Sequence, residues 1–298
     1  MMPLSWHARL FWRRRFILAD PFDDLQEEAG RGRVELIPAK RRALILEKLR
    51  RDGAADIPEL VEIVGASAST IRRDLEHLER QGALERTHGG AIMQNGDRAT
   101  FEPELSIAAQ FARAEKAAIA AAAAADLRPG QSVIFDASTT VLEVARCIVA
   151  QPLPLTAVTN SLAIAQVLAG VPEVQLVVPG GTVRPGSLTL IGRPGEDFLR
   201  TIHADIALLG THAVTGELLT ETSLDVAAMK RAMIAAARKT TVLADSSKFT
   251  APSFCTICSL TELHEVITDQ GIDPAQLANL RALGVTVRVV PVADTRNE

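Results

Sequence analysis

Tyrosine is absent from the 298 residues, and aromatic residues of all kinds make up only 4%. Base stacking therefore has few platforms, which argues against a binder of single strands or RNA. Cysteine is nearly as scarce. Cys147, Cys255 and Cys258 are too few for an extracellular disulfide framework, so a reducing cytoplasm is the expected location. No apolar run reaches transmembrane length, and no membrane partner is expected. An excess of one charge is missing too. The 32 Lys and Arg against 36 Asp and Glu leave a net charge of −4, which excludes a uniformly basic coat and makes any nucleic-acid site local. The asymmetry along the chain is mild, with 17 basic and 16 acidic residues before Ala99 and 15 and 20 from there on. Apolar residues, at 47%, suffice for ordinary cores in a length that predicts two domains.

The first 37 residues stand apart. Trp6, Phe11, Trp12 and Arg13 to Arg15 lead into an acidic stretch from Asp20 to Glu28 with no apolar period. Neither an apolar stretch nor a small-residue cleavage site follows the arginines, so a secretory signal is not expected. Two readings stay open for residues 1–37: a membrane-surface arm, or an extension that is disordered or belongs to an over-long start, the true one lying nearer Val34.

From Pro38 the pattern sharpens. Ala43, Leu44, Leu46 and Leu49 form an amphipathic helix that Gly53 stops. Pro58 opens a short second helix carrying Leu60, Val61, Ile63 and Val64, which Gly65 closes. Ser67 caps a third helix, in which Ile71, Leu75 and Leu78 share one face and which Gly82 ends. The tight second-to-third connection predicts a helix-turn-helix. Opposite the apolar stripe, Ser69, Thr70, Arg72 and Arg73 occupy the turns of a recognition helix that meet base edges and phosphates. Guanidinium forks suit both targets; the plainer alternative pairs Arg72 with Glu76 one turn on. Ala83 to Ile92 then reads as a β-hairpin wing around Gly89-Gly90, with Arg86 and His88 toward the DNA backbone.

The run Ser67-Ala68-Ser69-Thr70-Ile71-Arg72-Arg73-Asp74-Leu75, followed by Gly82-Ala83-Leu84 and His88-Gly89-Gly90-Ala91, closely resembles the winged helix of DeoR-type transcriptional regulators. The similarity continues through most of the second half. It implies a DNA-binding domain over 38–93, a linker over 94–105 and a sugar-phosphate effector domain over 106–298.

In that second domain Glu104 to Asp126 reads as one alanine-rich helix. Strands are then expected at Ser132–Asp136, Leu155–Asn160, Val174–Pro179, Ala204–Gly210, Thr240–Asp245, Glu265–Asp269 and Val285–Val290. Helices are expected at Val141–Ala150, Ser161–Ala169, Arg193–Thr201, Ser223–Arg238 and Pro274–Leu283. Continuously apolar strands alternating with helices imply an α/β fold with a mostly parallel sheet covered on both faces. Such sheets bind ligands beyond their strand carboxyl ends.

The residues at those ends carry the chemistry. Asp136-Ala137-Ser138-Thr139-Thr140 feeds a helix N-terminus, a ready anion site. Thr159-Asn160-Ser161, Pro179-Gly180-Gly181-Thr182 and Asp245-Ser246-Ser247-Lys248 follow other strands. Each can also be a plain cap or turn; together their hydroxyl, amide, carboxylate and ammonium groups suit a small polyol phosphate. The resemblance, here to an effector domain of ribose-5-phosphate-isomerase-like fold, implies a phosphate loop of Asp136, Ser138, Thr139 and Thr140. It implies Thr159, Asn160, Gly180, Gly181, Lys230, Asp245 and Lys248 for the rest of the pocket. Many members have glycine where Ser138 stands, and acidic residues where this chain has Val226 and Ala228. Glu221 and Asp225 are the nearest carboxylates left.

The function implied is a DNA-binding regulator, a repressor of a carbohydrate-metabolism operon relieved by a phosphorylated sugar, with a homodimer or tetramer on double-stranded operator DNA. The alternative is an isomerase-like enzyme with a vestigial head, using Asp136 or Glu221 with Lys230. The attached DNA reader favours binding over turnover, so no catalytic residue is expected. A pocket adapted to an unphosphorylated ligand is a further alternative. No cofactor or metal is expected: Cys255-Thr256-Ile257-Cys258 with His264 is a single pair and reads as structural.

Overall fold

The computed structural model describes residues 36–93 and 102–292. The expectations for residues 1–35 and most of the 94–105 linker lie outside the described residues.

The N-terminal unit holds α1 (Pro38–Asp52), β1 (Ala54–Asp56), α2 (Ile57–Val64), α3 (Ala68–Arg80), β2 (Leu84–Arg86) and β3 (Gly90–Met93). Gly53 ends α1 at φ 80°, donating its N–H to Leu49 O at 2.8 Å. Asp56 and Glu59 form a reciprocal capping box on α2, satisfying two otherwise orphaned amides. Ile71, Leu75 and Leu78 are buried against Leu46, Leu49 and Leu60, each contributing about 1.5–3 kcal/mol. The wing is a three-stranded antiparallel sheet, β1-β3-β2, rather than a two-stranded hairpin. Three residues of β1 are too short to show a period. Gly90 is needed because β3 crosses so close to β1 that an added Cβ would lie 2.1 Å from Ala55 O.

The C-terminal unit is built on seven parallel strands: β4 (Ser132–Phe135), β5 (Leu155–Thr159), β6 (Val174–Val177), β9 (Ala204–Leu209), β12 (Ala237–Leu243), β14 (Glu265–Asp269) and β15 (Thr286–Val290). Their spatial order is β15-β14-β12-β9-β4-β5-β6. Helices α6 (Thr139–Ala150), α7 (Leu162–Leu168), α8 (Arg193–Leu199), α9 (Leu224–Ala236) and α10 (Pro274–Ala282) connect them. Each face has its own core. Ile134 packs with Leu209, Met229, Met233 and Val242, while Val133 and Phe135 pack with Val141, Ile164 and Leu208 on the opposite side. That alternation along β4 is the strand period of two.

Three expectations need correction. The Glu104–Asp126 helix is two helices, α4 (Leu105–Ala108) and α5 (Arg113–Ala125), because Ile107 is drawn into the N-terminal core while Ile119, Ala120 and Ala123 pack on the sheet. Ala112 makes the joint at φ 49°, a conformation costly for a residue with a Cβ, and no glycine or proline marks it. The Ser223–Arg238 helix stops at Ala236, and β12 starts at Ala237, not Thr240, because Ala237 and Lys239 pair with Ala204 and Ile206 of β9. Pairing overrides helix propensity there. The antiparallel pieces β7 (Thr182–Arg184) with β8 (Thr189–Ile191), and β10 (Ala213–Thr215) with β11 (Leu218–Glu221) and β13 (Cys255–Ser259), add to the parallel sheet.

Segment 102–111 joins the two units. Glu104 accepts from Gln81 at the end of α3, Leu105 N donates to Gly186 O at 3.2 Å, and Glu102 pairs with Arg184 of β7. No helix among the described residues is long and apolar enough to cross a membrane.

Candidate nucleic-acid interface and anion-binding edge

The outward face of α3 is set by what the inward face must bury. Ile71, Asp74, Leu75 and Leu78 turn inward, which leaves Ser69, Arg72, Arg73 and Glu76 on the opposite side. Ser67 caps the helix by accepting from Thr70 N at 3.3 Å, and its Oγ lies 2.9 Å from both Ser69 Oγ and Thr70 Oγ1. Arg72 and Arg73 are exposed, and neither forms an ion pair with another described residue, so the Arg72–Glu76 pairing is not made. Two guanidinium groups thus stand free at an exposed helix face, able to fork onto phosphates or guanine edges. His88 is exposed on the wing. Arg86 is partly committed: its Nη1 is 3.9 Å from Glu79 Oε2, and its backbone N–H donates to Glu79 Oε1 at 3.2 Å.

Asp74, between those arginines and the core, has a structural task. It is buried and paired with Arg41 at 2.7 Å and Arg42 at 3.0 Å, fastening α3 to α1. Its i+3 spacing from Ile71 places it on the buried face, which the motif alone does not reveal.

At the sheet, the chain runs outward from β4 through β5 and β6, then returns to place β9 on the other side of β4. That reversal opens a crevice beyond the carboxyl ends of β4 and β9, the position where open α/β sheets hold ligands. Lys230 of α9 reaches into it. Its Nζ donates to Asp136 Oδ2 at 2.5 Å and Gly210 O at 2.7 Å, and lies 3.4 Å from Glu221 Oε2. Gly210 N completes the knot by donating to Asp136 Oδ2 at 3.0 Å. Two carboxylates thus share one ammonium away from water. Burial, with Glu221 adding, pushes the Asp136 carboxyl up against the pull of Lys230. Burial also acts against the Lys230 charge, but Asp136 and Glu221 outweigh it and hold the ammonium above its ordinary range.

The other strand ends divide between scaffolding and rim. Thr159 donates to Phe135 O at 2.7 Å, and buried Asn160 accepts from Ala137 N at 3.1 Å while donating to Leu190 O at 3.1 Å. Those bonds pin the loop after β4 to β8. Ser138 caps α6 and sits against Gly210, where an added Cβ would meet Ser138 Cβ at 2.3 Å. Thr139 is half-buried at the helix start, and Thr140 is buried. Gly180 and Gly181 are exposed; Gly181 owes its freedom to β8, since a Cβ there would lie 2.7 Å from Ile191 O. Asp245 is buried, its Oδ1 held by Ser247, while its Oδ2 has no hydrogen-bond partner among the described residues. Half-buried Lys248 closes that turn.

The sequence-expected residues after β4, β5, β6 and β12 therefore meet at one edge, together with Lys230. Glu221, weighed as a nearby carboxylate and as a base in the isomerase alternative but not among the effector contacts, belongs to the buried knot. Gly210, Asp269 and Glu102 were missed. Asp269 accepts from Ser246 N at 2.6 Å and positions the loop after β12, and Glu102 accepts from Thr222 Oγ1 at 3.3 Å beside the knot. A lone Gly, Asp or Glu in a strand end or linker carries no signal of such partners. Cys258 is buried, which pushes its thiol up to about 12, and Cys255 donates to Glu221 O at 3.2 Å. Among the described residues, no group of three or more His, Cys, Asp and Glu could hold a metal.

Comparison with known proteins places both regions. Residues 41–96 match the DeoR-like helix-turn-helix domain, and residues 112–270 match the DeoR C-terminal sensor domain. The HTH-type transcriptional regulator GlpR of Haloferax volcanii is 34% identical over 85% of this chain and 98% of its own length. The transcriptional repressor AccR of Agrobacterium fabrum is 34% identical over 78% of this chain and 89% of its own. Among solved structures, ribose 5-phosphate isomerase A of Methanocaldococcus jannaschii aligns with 45% of this chain and 53% of its own, at 17% identity and TM-score 0.34.

Proposed function

The chain belongs to the DeoR family of transcriptional regulators, and from that premise we propose that it is a repressor of a carbohydrate-metabolism operon, relieved by a phosphorylated sugar held at the carboxyl edge of its parallel sheet. The observation that carries this reading is that Ser138 and Thr139 after β4, and Asp245 and Lys248 after β12, lie at the same carboxyl edge of the sheet on either side of β9, with Lys230 bonded to Asp136 and Gly210 at that edge, one segment away from a helix whose two exposed arginines have no ion-pair partner among the described residues. The α6 N-terminus and the ammonium groups supply the charge that a phosphate needs, and the carboxylates supply acceptors for sugar hydroxyls.

On the DNA side, Arg72 and Arg73 read operator base edges and phosphates, with Ser67, Ser69, Thr70, Arg86 and His88 setting register on the backbone. One winged helix covers little DNA, so a homodimer or tetramer binds the operator. Relief then requires that the effector prefer an arrangement of the two units that the operator does not accept.

The test is fluorescence anisotropy on the promoter region of the neighbouring sugar genes, at fixed salt, with a panel of sugar phosphates. At least one is expected to weaken operator binding tenfold or more; affinity unchanged across the panel would overturn the reading. Absence of any new sugar phosphate after prolonged incubation is the expected companion result, and turnover would favour an enzyme instead.

A further inference from the structure

Lys116 is a charged residue with almost no access to water, 4% exposed, in the first turn of α5. Its Nζ donates to Ala108 O at 2.7 Å, the one hydrogen bond it makes among the described residues, although an ammonium carries three donors. That bond crosses the joint at Ala112. On one side, α4 puts Ile107 into the core of the DNA reader; on the other, α5 puts Ile119 and Ala123 into the core on the sheet.

α5 packs against α6 and β12, the elements that flank the anion-binding edge. From them, the charges of Lys248, Asp245 and Glu143 act on Lys116, and Glu115 acts from α5 itself. Asp245 is 1% exposed, and its Oδ2 is buried with no hydrogen-bond partner among the described residues. A buried ammonium with a single bond among the described residues and a buried carboxylate oxygen with none there are polar groups costly to leave unmatched. One ligand answers both needs: an anionic oxygen for the lysines and a hydroxyl for Asp245. A phosphorylated polyol has both.

We propose that Lys116 is a further effector contact and the link to the reader, exchanging Ala108 O for an anionic oxygen of the bound ligand and so freeing the joint between α4 and α5. The assignment rests on the reading of the sheet edge as a sugar-phosphate site. When the ligand draws Lys116 away, Ala108 loses its brace, and the strained Ala112 turn no longer fixes the direction of α4. Because α4 packs on α1, which Arg41 and Arg42 tie to Asp74 of α3, α4 carries the change to α3 through α1.

Hydrogen exchange on the full chain tests this, with inorganic phosphate as probe against chloride at equal ionic strength. In the wild type, phosphate is expected to slow exchange over 137–142 and 244–249 and to speed it over 107–112. Lys116→Met is expected to exchange fast over 107–112 without phosphate, to show no further response there, and to bind phosphate about tenfold more weakly at the edge. Equal phosphate midpoints in the two proteins, or protection at the edge of the wild type with 107–112 unmoved, would overturn the role of Lys116 while leaving the site intact. No protection at 137–142 in the wild type would overturn the site and this role together. If Lys116→Met does not fold, the wild-type response over 107–112 still decides the coupling, and Lys116→Gln supplies the affinity comparison.

Discussion

Arg73 and Asp74 are neighbours in sequence and opposites in space: the guanidinium stands in solvent, while the Asp74 carboxylate is buried 2.7 Å from Arg41. One motif therefore contains both the proposed DNA contact and a clamp for the helix that presents it. Substitution separates the two roles.

Arg73→Ala is expected to change folding stability by less than about 0.5 kcal/mol while costing about 1–3 kcal/mol of operator affinity. Asp74→Ala leaves the Arg41 charge buried without its partner and is expected to destabilise the reader by about 3 kcal/mol. Urea unfolding and anisotropy on the same two variants check the pair; a stability loss in Arg73→Ala as large as that in Asp74→Ala contradicts the assignment.

Lys230 pairs with both Asp136 and Glu221, each almost inaccessible. Removing it as Lys230→Met strands two buried carboxylates, with an expected loss of about 3–5 kcal/mol. Adding Asp136→Asn to that variant should recover part of the loss. A lower urea midpoint with unchanged slope is the expected signature.

Gly210 has no room for a methyl group because Ser138 occupies the space. Gly210→Ala is expected to cost about 1–3 kcal/mol and to displace the loop that starts α6. Ser138→Gly in the same chain should restore much of the stability by vacating that space. A double-mutant cycle by thermal unfolding measures the coupling, and strict additivity would refute it.

Burial first, and Lys248 second, push Lys116 down to about 8 from 10.5. The folded chain thus loses this proton before the unfolded chain does, and the unfolded chain binds more protons between those two values. Stability must rise with pH across that window. Relative to Lys116→Met, the wild type should gain roughly 2 kcal/mol between pH 7.5 and 10. A pH-independent difference between the two would count against the burial of this charge.

Much of the architecture is legible along the chain because its signals are local. Ile71, Leu75 and Leu78 declare a helix face by spacing, and all seven parallel strands announce themselves as apolar runs between helices. Elements of three residues, such as β1, β7 and β8, carry no period and are invisible until they find a partner. Ala112 gives no warning of a left-handed turn, since only the competition between two cores for α4 and α5 requires one.

The residue types at the strand ends were settled by the sequence: hydroxyls, an amide, a glycine pair and the Lys248 ammonium. Their roles were not. Tertiary packing decides that Asp136 is spent on Lys230, that Asn160 is spent on two backbone groups, and that Asp245 keeps an oxygen with no partner among the described residues. A side chain's chemistry travels with the residue, but its partners come from distant parts of the chain, and only folding brings those within hydrogen-bond reach.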